Sequence, residues 1–158
     1  MSELNGVRIR RFAPADAEAV RSLITGILAA EYAQDQAAYP AADLEKIAAV
    51  YGGPREAFLV ADDGGRIVGT CAVKQDGETT AILRRFFVAT THRGQGLGVR
   101  LVEEAIAHCR THGYRMIRIR TSGRMAAAIA VCRRHGFQED ERIQLGTVHL
   151  IMMSLRVS

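Results

Sequence analysis

Seven segments of the chain have the apolar patterns typical of β-strands. Val7–Phe12 alternates apolar with basic side chains, and Tyr114–Thr121 alternates isoleucine with arginine, which is the two-residue period of a strand. The other five are short and largely apolar runs. They are Ala57–Ala61, Arg66–Lys74, Ile82–Val88, Ile143–Leu145 and Val148–Leu155.

Four other segments have apolar residues at every third or fourth position, the period of a helix. The predicted helices are residues 14–31, 43–51, 97–112 and 125–135, and the first of them is expected to fray over 31–36. Pro14 suits a helix start, and Gly113 and Gly136 suit helix ends. The resulting order, β-α-α-β-β-β-α-β-α-β-β, predicts a mixed sheet with helices on its faces, in the α/β or α+β class.

A glycine-rich turn, Arg93–Gly98, joins the strand at Ile82–Val88 to the third helix. The first turn of a helix has backbone N–H groups without partners and carries partial positive charge. Glycines let a phosphate approach the backbone closely. The turn lacks the Gly-Lys-Ser/Thr ending of a Walker loop, and Val99 stands where the dinucleotide fingerprint needs a glycine or alanine. It therefore predicts a different kind of site for a phosphate-bearing ligand.

Length and composition indicate one soluble globular domain, residues 1–158. A chain of 158 residues can bury one core, and 48% of its residues are hydrophobic. No apolar run is long enough to cross a bilayer, and the N-terminus lacks the apolar core of a signal peptide. Three cysteines without metal-ligand spacing predict reduced thiols and no metal. We therefore expect a cytoplasmic protein with no membrane partner.

Charge is distributed unevenly along the chain. Residues 84–134 contain 11 arginines and only two acidic residues, whereas residues 1–83 contain 8 basic and 12 acidic residues. The basic block coincides with the glycine-rich turn, and its field would concentrate a polyanion there. Nucleic acid is the alternative polyanion. Because no aromatic residues interleave the arginines, we expect no nucleic-acid partner.

The spacing Arg93-x-x-Gly96-x-Gly98 resembles the motif of the GNAT superfamily of N-acetyltransferases. In that family the motif follows the fourth strand and holds the pyrophosphate of acetyl-CoA. Leu83–Val88 is similar to the family's fourth strand, and Ala128–Phe137 is similar to its last helix and the Gly-Phe that ends it. The likeness covers most of residues 67–137. It implies the GNAT fold, a central mixed sheet flanked by helices.

The resemblance also implies which residues bind acetyl-CoA. Backbone N–H groups of the turn would hold the pyrophosphate, Arg93 is the basic residue of the motif, and Arg100 would reach a phosphate from the helix. The end of the preceding strand would hold the pantetheine and face the thioester carbonyl. The expected cofactor-binding residues are Phe86, Phe87, Val88, Arg93, Gly94, Gln95, Gly96, Leu97, Gly98, Arg100 and Cys132.

The expected catalytic residues are Val88, through its backbone, and the side chains of Cys132, Glu78 and Glu31. These side chains are considered because the sequence departs from the family pattern at two catalytic positions. Cys132 replaces a tyrosine that protonates the leaving thiolate in many members. A cysteine with a pKa of about 8.5 can donate a proton, but a thiolate of similar basicity hardly needs an acid, so both alternatives stay open. Ile82 stands where the family often has a glutamate base. Glu78 and Glu31 are the candidate substitutes.

The first two helices border the acceptor in GNAT proteins, so the resemblance implies where an acceptor would bind. Tyr32, Tyr39 and Tyr51 lie in that part of the chain, and His149 is a further candidate. Arg84 or Arg85 would pair either with an acceptor carboxylate or with acidic surface residues. Met125 replaces an asparagine that contacts the cofactor in many members.

From the resemblance we expect an acetyl-CoA-dependent N-acetyltransferase that acts on a primary amine, of a small molecule, by direct attack in a ternary complex. No metal and no covalent enzyme intermediate are needed. A non-catalytic acyl-CoA-binding module and a peptide or protein N-acetyltransferase are the alternatives. The oligomeric state stays open, with a homodimer as one option.

Overall fold

The computed structural model describes residues 3–4 and 6–158, and these form a sheet with helices on both faces. Within them the strands are β1 Glu3–Leu4, β2 Val7–Arg11, β3 Ala57–Asp63, β4 Arg66–Gln75, β5 Thr80–Val88, β6 Met116–Ser122, β7 Gln138–Leu145 and β8 Val148–Arg156. The α-helices are α1 Ala17–Glu31, α2 Ile47–Val50, α3 Leu97–Thr111 and α4 Ala126–Arg134. Short 3-10 turns cover Pro14–Asp16, Ala33–Ala38, Ala42–Glu45 and Thr90–His92.

The strands of the described residues form one sheet in the order β1-β2-β3-β4-β5-β6-β8-β7. Neighbouring strands are antiparallel except β5 and β6, which are parallel and are connected through α3. The predicted mixed α/β sheet and its order of elements are thus confirmed. β1 was not predicted, and β7 is longer than the expected Ile143–Leu145.

Helices α3 and α4 cover one face of the sheet. The apolar stripe of α3 is buried as its period predicts, from Leu97 through Leu101 to Cys109, against inward residues of β4, β5 and β6. Gly69 in β4 permits this packing, because a Cβ there would lie 3.0 Å from the Leu101 Cδ1 atom. A register shift beside Gly69 also makes a bulge in β4, a common position for glycine in a strand. Helix α3 therefore packs closely against β4 at Gly69.

Helix α1 covers the other face with the predicted stripe, in which Val20, Ile24, Ile27 and Leu28 are buried. Burial of each such side chain contributes about 1.5–3 kcal/mol to the free energy of folding. Residues 32–51 continue over this face as a series of short helical turns in place of one long helix. The single helix predicted over 43–51 is replaced by the 3-10 turn Ala42–Glu45 and the one-turn α2. The cause is tertiary, because Asp43 forms an ion pair with Arg85 of β5 and Tyr51 donates a hydrogen bond to Asp43.

Within the described residues, no helix is both long and apolar enough to cross a membrane.

Candidate functional site

Strands β5 and β6 pair only over the first half of β5. Their register runs from Thr80 opposite Met116 to Leu83 opposite Ile119, whereas β4 stays paired with β5 as far as Val88. Within the described structure, residues 84–88 therefore have no strand partner on the β6 side. An open strand edge of this kind can hydrogen-bond an extended ligand. A cavity of about 470 Å³ lies where the strands separate, lined by both of them, by α4 and by residues of the segment 38–43.

A bulge in β5 shapes this opening. Thr70 of β4 pairs with Phe87, and Ala72 pairs with Arg84, so two residues of β5 oppose Cys71 alone. Arg85, one of the two, has φ of 53°, in the left-handed region that side-chain-bearing residues seldom adopt. The Thr70 hydroxyl donates a hydrogen bond to the Arg85 carbonyl at 2.6 Å. Bulges redirect side chains and end strand pairing beside active sites, and this one lies on the cavity wall.

A buried ion pair fixes the Arg85 side chain, which is 6% exposed. Its Nε and Nη2 atoms donate to the two carboxylate oxygens of Asp43, and Nη2 also donates to the Pro40 carbonyl. Tyr51 donates to the same carboxylate at 2.6 Å. Burial alone would raise the pKa of Asp43, but the Arg85 and Tyr51 hydrogen bonds outweigh it and lower that pKa. Asp43 is therefore an anion with its oxygens already engaged, and a weak base.

The glycine turn presents the N-terminus of α3 beside the open end of β5. Gly94 and Gly96 have φ of 75° and 83°, values that glycine adopts without strain. Gly96 is the N-cap, and no side chain of the described residues caps the helix, so its first N–H groups are left for a ligand. Gly98 follows in the first turn, where a Cβ would lie 3.4 Å from the Phe86 ring. The uncapped amides thus lie next to the strand edge.

Two arginines flank this N-terminus, and one of them has an unsatisfied donor. The Arg100 Nη1 atom lies 3.8 Å from the Glu103 Oε1 atom, but the Arg100 Nε atom is buried with no hydrogen-bond partner in the described structure. Arg93 binds both oxygens of Glu31, at 2.6 and 2.8 Å, and its Nε donates to the Val88 carbonyl. Gln95 is exposed on the turn. Free amides and an unpaired guanidinium nitrogen fit a phosphate group.

The profile of the acetyltransferase (GNAT) family matches residues 23–137, which include the glycine turn and the splayed strands. This chain belongs to the GNAT acetyltransferase family. The match includes every residue expected to bind acetyl-CoA, from Phe86 to Cys132. The GNAT fold expected from the sequence is therefore confirmed.

Known proteins with similar sequences or folds agree with this assignment. N-acetyltransferase family 8 member 2 of Rattus norvegicus is 34% identical over 103 residues, which are 62% of this chain but only 46% of that relative. A GNAT acetyltransferase of Staphylococcus aureus Mu50 superposes with a TM-score of 0.83 at 21% identity, covering 96% of this chain and 99% of that one. The acetyltransferase YncA of Salmonella typhimurium, solved with acetyl-CoA, has a TM-score of 0.74 at 19% identity over 98% and 95% of the chains.

Cys132, at the position of the tyrosine found in many GNAT proteins, lies in the core and not on the cavity wall. It is 1% exposed within the apolar cluster beneath α3 and α4. Burial raises the pKa of its thiol to about 12. A cysteine is several ångströms shorter than a tyrosine, so its sulfur does not reach across the wall. This placement favours the alternative that no dedicated acid is used, and it gives no support to Cys132 as a cofactor contact.

Neither glutamate suggested as a base lines the cavity. Glu78 is exposed in the turn before β5, at the end of the strand remote from Val88. The eight residues from Thr80 to Phe87 span about 23 Å in a strand, so Glu78 lies far from the end of β5 that would face the thioester. Glu31 is engaged by Arg93, whose hydrogen bonds lower the pKa of that carboxyl. The structure instead makes Glu31 a positioning partner for the basic residue of the motif.

The cavity wall contains functional candidates that the sequence analysis did not assign. Arg118 and Arg120 of β6 line it together with Arg84 and Arg85. The alternation of isoleucine and arginine in β6 was the available signal, because it placed both arginines on one face. Of the three tyrosines considered, Tyr39 lines the cavity, and it accepts a hydrogen bond from the Ser122 amide. His149 is exposed in a separate depression near Ser122.

Proposed function

We propose that this chain is an acetyl-CoA-dependent N-acetyltransferase that acetylates a primary amine of a small molecule. The observation that carries the proposal is the uncapped N-terminus of α3, reached through a glycine turn and lying beside the open edge of β5. In this position the helix amides would face the diphosphate of acetyl-CoA, and the strand amides would face its extended pantetheine arm. The family match, over residues 23–137, covers the residues of this arrangement.

Each part of the site has a role in binding. The amides of Gly94 to Gly98 and the Arg100 side chain would hold the pyrophosphate, and the Glu31–Arg93 pair would keep the turn against Val88. The β5 edge at Phe86, Phe87 and Val88 would hold the pantetheine. Bound acetyl-CoA supplies an activated acetyl thioester. Holding the amine in the cavity next to that edge supplies proximity, which is a large part of the rate enhancement available to such a reaction.

The reaction is a direct displacement. A bond forms between the amine nitrogen and the carbonyl carbon of the acetyl group, and the bond between that carbon and sulfur breaks. The nitrogen loses one proton, and the thiolate of CoA leaves and is protonated. Asp43 is the one carboxylate among the described cavity residues, and Arg85 and Tyr51 occupy it. Water is therefore the proposed proton acceptor. The arginines of the wall assist, because nearby positive charge lowers the pKa of an ammonium group and favours the free amine.

Replacing Cys132 with alanine is expected to lower the acetylation rate less than about tenfold, short of the hundredfold or more that loss of a positioned acid costs. The reason is that the thiol lies in the core and its pKa is raised to about 12. The rate is measured by release of CoA with saturating acetyl-CoA. Cys109→Ala is the matched control, since Cys109 is equally buried but lies on α3. A hundredfold loss confined to Cys132→Ala, with unchanged acetyl-CoA affinity, would restore it as the acid.

The proposal is tested by incubating the protein with acetyl-CoA and a panel of primary amines and measuring free CoA with a thiol reagent. Amine-dependent release, with an N-acetylated product found by mass spectrometry, supports a transferase. Tight binding of acetyl-CoA without release for any amine or peptide would favour the non-catalytic acyl-CoA-binding module, an alternative kept because no free carboxylate lines the described cavity. Release only with peptides would identify a peptide N-acetyltransferase. A cytoplasmic location, a homodimer and the absence of a metal stay predictions.

A further inference from the structure

Four guanidinium groups line the cavity from two strands. Arg84 and Arg85 belong to β5, and Arg118 and Arg120 to β6. Arg118 lies opposite Ile82 in the parallel register, and the strands separate just beyond this point. The arginines of β6 are therefore neighbours of those of β5 across the opening, and not scattered over the surface.

The negative charge available to these groups within the described residues is small. Asp43 is the one carboxylate on the described wall, and its ion pair is with Arg85. Among the described residues, Arg120 donates a single long hydrogen bond, 3.4 Å, to the Ala38 carbonyl. Neither Arg84 nor Arg118 forms an ion pair with a described residue. The wall thus carries a formal charge of about +3 when the four arginines and Asp43 are counted.

Arg85 has the features of a prepared binding group. Its side chain is 6% exposed and is fixed by Asp43 and Pro40, and its backbone occupies the left-handed region at the bulge. Its Nη1 atom is nevertheless buried with no hydrogen-bond partner in the described structure. A buried guanidinium nitrogen without an acceptor is unfavourable, and native structures rarely leave one unless a ligand, an ion or an ordered water completes it.

We propose that the acceptor is a small primary amine that carries carboxylate groups, such as an acidic amino acid, and that Arg84, Arg85 and Arg118 bind those carboxylates. The inference rests on the proposed function, because it names the acceptor of that same site. A carboxylate would complete the Arg85 Nη1 atom and neutralise the unpaired Arg84 and Arg118. A diamine or other cation would meet a wall of the same charge and be repelled.

The test compares acceptors that differ in charge: L-glutamate and its diamide share the same α-amine, and cadaverine is a diamine without a carboxylate. L-Glutamate, the diamide of L-glutamate and cadaverine are each assayed by release of CoA at saturating acetyl-CoA. We expect kcat/KM to be at least about 30-fold higher for L-glutamate than for its diamide, as the loss of more than one charge-assisted hydrogen bond implies. Amidation lowers the basicity of the amine and leaves more of it unprotonated, so greater reactivity of the amine cannot produce this preference.

Arg118→Gln locates the effect, because Arg118 lies on β6, away from the glycine turn. We expect kcat/KM for L-glutamate to fall at least about tenfold, mainly through KM, and the loss for the diamide to be at least about fivefold smaller. Acetyl-CoA affinity should stay within twofold. Arg110→Gln is the matched control, because Arg110 belongs to the same basic block but is exposed on α3, outside the cavity.

The outcomes separate the two proposals. Equal or better use of the diamide or of cadaverine, or an Arg118→Gln loss that is the same for both forms of glutamate, would overturn the acidic acceptor and leave the transferase intact. Absence of acetyl-CoA binding, or of CoA release with every amine, would overturn the proposed function and this inference with it.

Discussion

Valine in place of Gly98 is expected to weaken acetyl-CoA binding by at least about tenfold, because each hydrogen bond to a charged group is worth about 1.5–3 kcal/mol and 1.4 kcal/mol is a factor of ten. A Cβ at this position would already lie 3.4 Å from the Phe86 ring and 3.7 Å from a Val88 methyl group. The two further methyl groups of valine would push the first turn of α3 away from β5. The amides would then lose their position relative to the strand edge.

Gly98 is a better probe than Gly96, because its backbone is not in the left-handed region and valine can adopt it without strain. Gly98→Ala is the graded control, since its single methyl group makes an ordinary contact and is expected to change affinity by less than about threefold, well under 1 kcal/mol. Calorimetric titration gives the affinities, and circular dichroism checks that all three proteins are folded. Unchanged affinity in a folded Gly98→Val protein would contradict the assignment of the glycine turn.

Alanine in place of Asp43 is expected to lower the free energy of unfolding by about 3–5 kcal/mol, which is the range for breaking a buried ion pair by removing one partner. Arg85 would keep its charge at 6% exposure and lose two hydrogen bonds, and the Tyr51 hydroxyl would lose a third. Urea unfolding measures the difference. Glu45→Ala is the matched control, because Glu45 lies two residues away in an exposed pair with Arg21, and such pairs contribute about 0–1 kcal/mol.

Acid provides an independent check on the same pair. The pKa of Asp43 is lowered in the folded protein, so its contribution to stability is present above the unfolded value, about 3.9, and is lost as pH falls through the folded value. The difference between wild type and Asp43→Ala should therefore be full near neutral pH and shrink below about pH 4. A difference that is small at neutral pH, or that grows in acid, would show that the pair does not hold β5 to the segment 40–51.

The parts of the site that depend on local sequence were predictable. Gly94 and Gly96 adopt positive φ, which glycine alone does freely, and the apolar stripe that begins at Leu97 faces the core. Turn, strand and helix are all determined within about 30 consecutive residues. The prediction of an anion site and the motif of the GNAT resemblance followed from them, and the family match confirms that resemblance.

The acceptor side depends on contacts between distant parts of the chain, and the sequence does not display them. Arg85 has φ of 53° although nothing near it marks a bulge, and its partner Asp43 is 42 residues away. The helix predicted over 43–51 does not form, because Asp43 pairs with Arg85 and Tyr51 donates a hydrogen bond to Asp43. The alternating arginines of β6 were visible, but their approach to those of β5 follows from a parallel register that only the folded sheet sets.

Calorimetric titration of the wild-type protein with acetyl-CoA, with ATP and NAD as controls, tests whether the glycine turn and the open β5 edge form an acetyl-CoA site. We expect saturable binding of acetyl-CoA at one site per chain, with no comparable heat from ATP or NAD, because the turn and the edge recognise pyrophosphate and pantetheine together. A folded protein that shows no binding of acetyl-CoA, or that binds all three equally, would contradict it.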